Sequence, residues 1–116
     1  MTPFRTPESH KRYHDLIAQG LLEKGCALCA APALKEFVFW RIINNEFPYD
    51  RVAKVHHMII PKRHIQELEL TEEERAEYKE IKKTDINENY EYIVEAVDRK
   101  KTIPAHFHLH LVVGLD

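Results

Sequence analysis

The sequence predicts an α+β fold, a small antiparallel sheet with two main helices, and three observations carry that expectation. Short runs rich in β-branched and aromatic residues outnumber the helical patterns. The helical stretches interrupt those runs and do not alternate with them, which suits an antiparallel sheet better than a doubly wound one. The last run, from His106 to Leu111, alternates polar and apolar side chains without a break.

The elements follow in order. Residues 1–7 hold Pro3 and Pro7 and read as a loose arm. Thr6 as cap and Pro7 in the first turn open a helix on which Tyr13, Leu16, Ile17 and Leu21 recur at helical spacing. Gly25 ends it and releases the chain into Cys26-Ala-Leu-Cys29, a tight knuckle, and Pro32 keeps the next residues irregular. Phe37 to Ile43 reads as a strand, Asn44 to Asp50 as a turn, and Val52 to Ile60 as a second strand stopped by Pro61. Thr71 and Glu74 form a capping box for a helix from Glu72 to about Lys83, and the acids of its first turn suit the positive end of a helix. Residues 84–89 break it. Tyr90 to Val97 fits either period; the polar Asn87 and Asn89 favour a strand. Arg99 to Lys101 is a basic turn, and Ala105 to Val113 is the last strand.

The chain has 116 residues, the size of one domain covering residues 1–116. An apolar share of 44% and a charged share of 31% exclude wholesale disorder. A net charge of −2 excludes a polybasic nucleic-acid binder, and no apolar run approaches the length of a membrane span. The amino terminus lacks a charged-then-apolar leader pattern, so a cytoplasmic location is expected.

Histidine is in excess, with eight residues. On a strand, His106, His108 and His110 share one face and Phe107, Leu109 and Leu111 the other. The apolar face must pack on a core, so the imidazoles are expected to face a site together. Cys26 and Cys29 are compatible with a disulfide, a redox pair or half of a zinc site. The spare histidines favour zinc, with His64, His106, His56, His57, His10 and His14 as candidate partners. His10 and His14 stand one helical turn apart and read as solvated side chains, with joint metal binding as the alternative.

These residues resemble the histidine-triad (HIT) superfamily of nucleotide hydrolases and transferases. Its signature, His-φ-His-φ-His-φ-φ with φ apolar, is matched at every position of residues 106–112. Asn45-Glu-Phe-Pro-Tyr49 resembles the family's Asn-x-x-Pro-Tyr turn, and His56-His-Met-Ile-Ile-Pro-Lys-Arg-His64 its His-φ-φ-φ-φ-Pro-Lys-x-His strand and turn. The resemblance implies a structural zinc on Cys26, Cys29, His64 and His106. It implies His108 as nucleophile and His110 as the phosphate-orienting histidine, and it places Asn45, His56 and Thr102 at the substrate. A nucleotide or dinucleotide substrate and a possible homodimer follow from the same resemblance, with neither membrane nor nucleic acid as partner.

The family commonly carries a Gly-Gln-Ser/Thr stretch before the triad; here those positions read Thr102-Ile-Pro-Ala105, and Thr102 is displaced by one residue. Two readings result. One is an enzyme that attacks an α-phosphate through His108, forming a nucleotidyl-histidine. The other is a catalytically weak module that binds nucleotide or a partner. A redox role for the two cysteines stands third.

Overall fold

The computed structural model describes residues 3–21 and 25–116. Its elements are α1 (Pro7–Ala18), α2 (Ala27–Ala30), β1 (Ala33–Glu36), β2 (Trp40–Asn44), β3 (Ala53–Pro61), α3 (Glu72–Ile81), α4 (Asn87–Asn89), β4 (Tyr92–Val94) and β5 (Leu109–Gly114). The strands form one antiparallel sheet in the order β1-β2-β3-β5-β4, so the α+β class is as the sequence predicts.

The pleat divides the sheet into two chemically distinct faces. On one, Trp40, Ile42, Ile59, Leu109 and Leu111 bury against Ile81, Ile86 and Tyr78 of the α3 segment. On the other, Ile43, Met58 and Ile60 pack with Leu28 of α2, and Ile103 covers them. His56 and His110 share this second face, because Met58 pairs with His110 and His56 with Val112.

α3 begins at the capping box that the sequence marks. Glu74 N–H donates to Thr71 Oγ1 at 3.1 Å, and Thr71 N–H donates to Glu74 Oε1 at 2.8 Å. The Glu74 carboxylate also takes two bonds from Arg63, at 3.0 and 2.7 Å, and its carbonyl accepts Trp40 Nε1–H at 2.7 Å.

Several elements differ from expectation. The helix does not break at residue 84 but continues through a π-turn (Lys82–Ile86) into α4. Ile81 and Ile86 are five residues apart and both belong to the core, and a π-turn is the local geometry that points both inward. Thr84 Oγ1 bonds back to Glu80 O, and Asn89 Nδ2 to Asp85 O, so polar residues that read as breakers are accommodated. The expected strand from Phe37 starts only at Trp40, because Phe37–Phe39 forms the β1–β2 turn, whose Val38 and Phe39 N–H groups are taken by Glu77 at 3.0 and 2.7 Å. β1, expected as irregular, is an exposed edge strand. The last strand begins at Leu109 instead of Ala105, because the preceding residues bond to the turn after β3: Phe107 N–H donates to Ile65 O at 2.7 Å.

Part of the expected loose arm is fastened. Arg51 N–H donates to Phe4 O at 3.0 Å, Arg5 Nε–H to Phe47 O at 2.9 Å, and Thr6 N–H to Asp50 Oδ1 at 2.9 Å. The first helix is also shorter than expected: it ends at Ala18, before Leu21 and Gly25, where Gly20 takes a positive φ and the Gln19 and Gly20 N–H groups bond to the Asp15, Leu16 and Ile17 carbonyls. Residues 1–2 and 22–24 lie outside the described residues.

The Glu74 side chain is 2% exposed, and its bonds to Arg63 hold its carboxyl down to about 2. A carboxylate depressed in the folded state stabilises the fold above its ordinary pKa, and that contribution is lost as pH falls toward the folded value. Glu74→Gln should therefore flatten the loss of stability between about pH 4 and 2. It should also lower stability at neutral pH by about 1 kcal/mol, because Gln keeps the capping box but loses the ion pair with the partly exposed Arg63; urea unfolding across that pH range measures both.

Candidate functional site

β3 and β5 carry the histidines, and backbone atoms decide which nitrogen of each ring holds the proton. His56 Nδ1 accepts the Tyr49 backbone N–H at 2.9 Å, so its proton resides on Nε2. That Nε2–H donates to His110 Nδ1 at 2.7 Å. His110 must then carry its own proton on Nε2, which lies 3.3 Å from Tyr49 Oη. The Tyr49 ring packs on both imidazoles, with centroids 4.3 Å from His56 and 5.0 Å from His110. These tautomers are assigned from partners, since only a backbone N–H is an unambiguous donor.

His108 follows the same logic. Its Nδ1–H donates to the His106 carbonyl at 2.9 Å, which leaves the lone pair on Nε2. His106 in turn donates Nε2–H to the Pro61 carbonyl at 2.9 Å, which leaves its Nδ1 as the free base. That Nδ1 faces Cys29 Sγ at 3.3 Å and Cys26 Sγ at 3.6 Å, and His64 Nδ1 lies 3.3 Å from Cys29 Sγ. One donor atom from each of these four residues lies within 4.8 Å of the others, and both thiols are free of a disulfide. Two thiols with two imidazoles, His106 among them with its Nδ1 lone pair free, converge from three chain segments and form a cluster that can bind a metal.

Electrostatics keeps the ring systems neutral. Burial pushes His56 down to about 4 and His110 to about 3, with the cation of Arg5 and the neighbouring histidines adding to it. Burial also lowers His108, against the opposing pull of the His106 carbonyl. Arg5 sits over the Tyr49 ring at 5.0 Å and over the Tyr13 ring at 4.7 Å, a cation held close to the buried imidazoles.

The structure brings most of the expected residues together. Cys26, Cys29, His64 and His106 meet at one end, and His108 and His110 follow with ring centroids 5.4 Å apart. Only His110 lies within β5; His106 and His108 precede it, yet the alternation of faces persists, with Phe107 in the core. Asn45 spends its side chain locally: Oδ1 takes Phe47 N–H at 2.8 Å, and Nδ2 lies 3.3 Å from His56 Nε2. Thr102 is hydrogen-bonded to Tyr13 of α1 at 2.8 Å, with no bond to a histidine. His10 and His14 lie on α1, away from this cluster.

Two features escape sequence reading. Tyr49 closes the histidine relay through its N–H and its hydroxyl; it stood in the recognised turn, but nothing local marks it as a partner of His110. The second is closure. His56 is 3% exposed, His110 6% and His108 8%, so the row that alternation presents to a site is roofed over. An apolar hollow of about 140 Å³ on the same sheet face is lined by Phe4, Tyr49, Val52, Tyr92, Val94, Val112 and Gly114, and by no triad histidine.

No family model matches the chain, and no curated protein sequence does. Solved structures do match. A HIT family hydrolase from Legionella pneumophila Philadelphia 1 superposes with a TM-score of 0.57 at 22% identity, over 79% of this chain and 95% of that one. A structure described as a Hit Like Protein gives 0.56 at 24% identity, over 84% and 93%. A HIT family hydrolase from Clostridium thermocellum gives 0.52 at 24% identity, over 80% and 93%. The chain thus has the histidine-triad fold, as its sequence resemblance implies.

Nitrogen NMR of the imidazoles should report Nε2–H tautomers for His56 and His110 and Nδ1–H for His108, with His56 and His110 still neutral at pH 5. A histidine depressed when folded takes up a proton on unfolding below about pH 6.5, so stability should fall as pH drops from there toward 4. Unfolding midpoints across that range check the sign.

Proposed function

We propose that residues 1–116 act as a single histidine-triad domain that hydrolyses or transfers a nucleotide at its α-phosphate, with His108 as nucleophile. One observation carries the reading: the His106 carbonyl takes the Nδ1 proton, so His108 offers its Nε2 lone pair as a neutral base at pH 7. In the first step Nε2 bonds to the α-phosphorus, and the leaving phosphate or nucleotide departs with the electrons of the broken P–O bond. In the second, water or another acceptor attacks the nucleotidyl-imidazole and returns Nε2 to its free state. His110, whose Nε2–H faces Tyr49 Oη at 3.3 Å, is the candidate to meet charge on the phosphate oxygens by exchanging that partner for the phosphate. In this reading His56 orients His110 through its Nε2–H, Asn45 lies beside His56, and Thr102, bonded to Tyr13, is a candidate hydroxyl for the substrate.

The same reading assigns zinc to Cys26, Cys29, His64 and His106. Zinc there supplies structural cross-linking: it would tie α2 and the turn after Pro61 to the lead into β5. Free thiols at Cys26 and Cys29 fit a reducing cytoplasm. No described helix is long and apolar enough to cross a membrane, and a membrane or nucleic-acid partner forms no part of the proposal. A homodimer remains part of it, with the exposed β4 edge around Tyr92 as the open strand.

The low exposure of His108, together with Ile103 lying over the apolar cluster beside it, favours a second reading: a module that binds nucleotide without useful turnover. Rapid quench with a labelled adenine dinucleotide and a nucleoside phosphoramidate decides between them. Label on the protein that is lost in His108→Ala supports the enzyme, whereas tight binding without adduct or turnover supports the module. Elemental analysis should find one zinc per chain, unchanged in His108→Ala and lost in Cys29→Ser. Chelation should lower the melting temperature of the parent protein and leave that of the Cys29→Ser variant where it was.

A further inference from the structure

A second pair of imidazoles stands outside the site. His10 and His14 lie one turn apart on α1, with ring centroids 4.2 Å apart and planes tilted by 49°. His10 is half-buried, and its Nδ1 is the one buried side-chain nitrogen or oxygen among the described residues with no hydrogen-bond partner. Such an atom carries an uncompensated desolvation cost unless something occupies it. His14 is exposed, so its ring can turn toward the same point.

The surrounding cations are otherwise engaged. Lys11 is paired with Asp15 at 2.7 Å, Arg12 lies over the Phe47 ring at 5.0 Å, and Arg5 lies over Tyr13 and Tyr49. None of them satisfies His10 Nδ1. From this geometry we infer that His10 and His14 form a separate two-imidazole chelate, half-covered at His10 and exposed at His14, for a borderline divalent transition ion such as nickel, copper or zinc. Imidazole nitrogen suits these ions, while magnesium and calcium demand oxygen ligands that the pair lacks. A metal on His10 Nδ1 supplies the missing partner, and the i, i+4 spacing brings the second ligand from the same helix face. The site spans α1 alone and does not depend on the nucleotide or zinc assignments above.

Nickel chloride added to the full-length protein tests it by proton–nitrogen correlation spectra. Paramagnetic broadening should centre on residues 9–15. His14→Ala, a change at an exposed position, should demand roughly tenfold more nickel for the same broadening, as expected when a two-point attachment becomes a single one. His10→Ala should do the same, with the spectrum outside α1 unchanged in both variants. Broadening confined to the surroundings of Cys26, Cys29, His64 and His106 would overturn the proposal while leaving the Cys/His site intact. Broadening of α1 that survives in both variants would overturn it too.

Discussion

Side chains alternate across a pleated strand, and at the end of this chain the core claims one of the two sets. Phe107, Leu109 and Leu111 are buried with Trp40 and Ile59 beneath α3. Shifting the register by one residue would send these three side chains to the histidine face and three imidazoles into the apolar layer, a cost no local gain offsets. The apolar half of the pattern thus holds the polar half in place. His106, His108 and His110 lie together because their neighbours have nowhere else to go.

Burial alone does not make a histidine useful; the protein must also choose where its proton sits. It does so with backbone groups. The Pro61 carbonyl frees Nδ1 of His106 toward two thiols, and the His106 carbonyl frees Nε2 of His108. The Tyr49 N–H orders His56, and through it His110. Since these partners belong to the main chain of β3, the turn before it and the lead into β5, the chemistry of the imidazoles is fastened to the same ladder that packs the core. Side-chain substitution at the partner positions would leave the carbonyls themselves in place, which makes the tautomers robust.

Closure is the second property set by packing. Tyr49 covers His56 and His110, Arg5 covers Tyr49, and the loop before the triad lays Ile103 over Leu28, Ile43, Met58 and Ile60. Except for Tyr49 on His56, each contact joins segments distant in sequence. Together they bury the histidine face, and that burial holds its imidazoles below their ordinary pKa.

The convergence of Cys26 and Cys29 with His64 and His106 was legible only through the family resemblance, because ligand chemistry alone left six histidines open. Local signals were enough for the sheet class, the α3 capping box and the strand through His56 and Ile60, which rest on short-range physics: side-chain period and caps. The π-turn after Ile81, the exposed β1, the turn at Phe37–Phe39 and the late start of β5 were not legible. In each, a partner from elsewhere overrules the local preference: Ile86 is drawn into the core, Glu77 holds two turn amides, and Ile65 holds Phe107. Tyr49 and the roof over the triad belong to the same class. Alternation and spacing dictate which residues share a face, because they follow from the geometry of one strand. What covers that face, and which nitrogen carries each proton, depends on groups that only the folded chain brings within hydrogen-bonding distance.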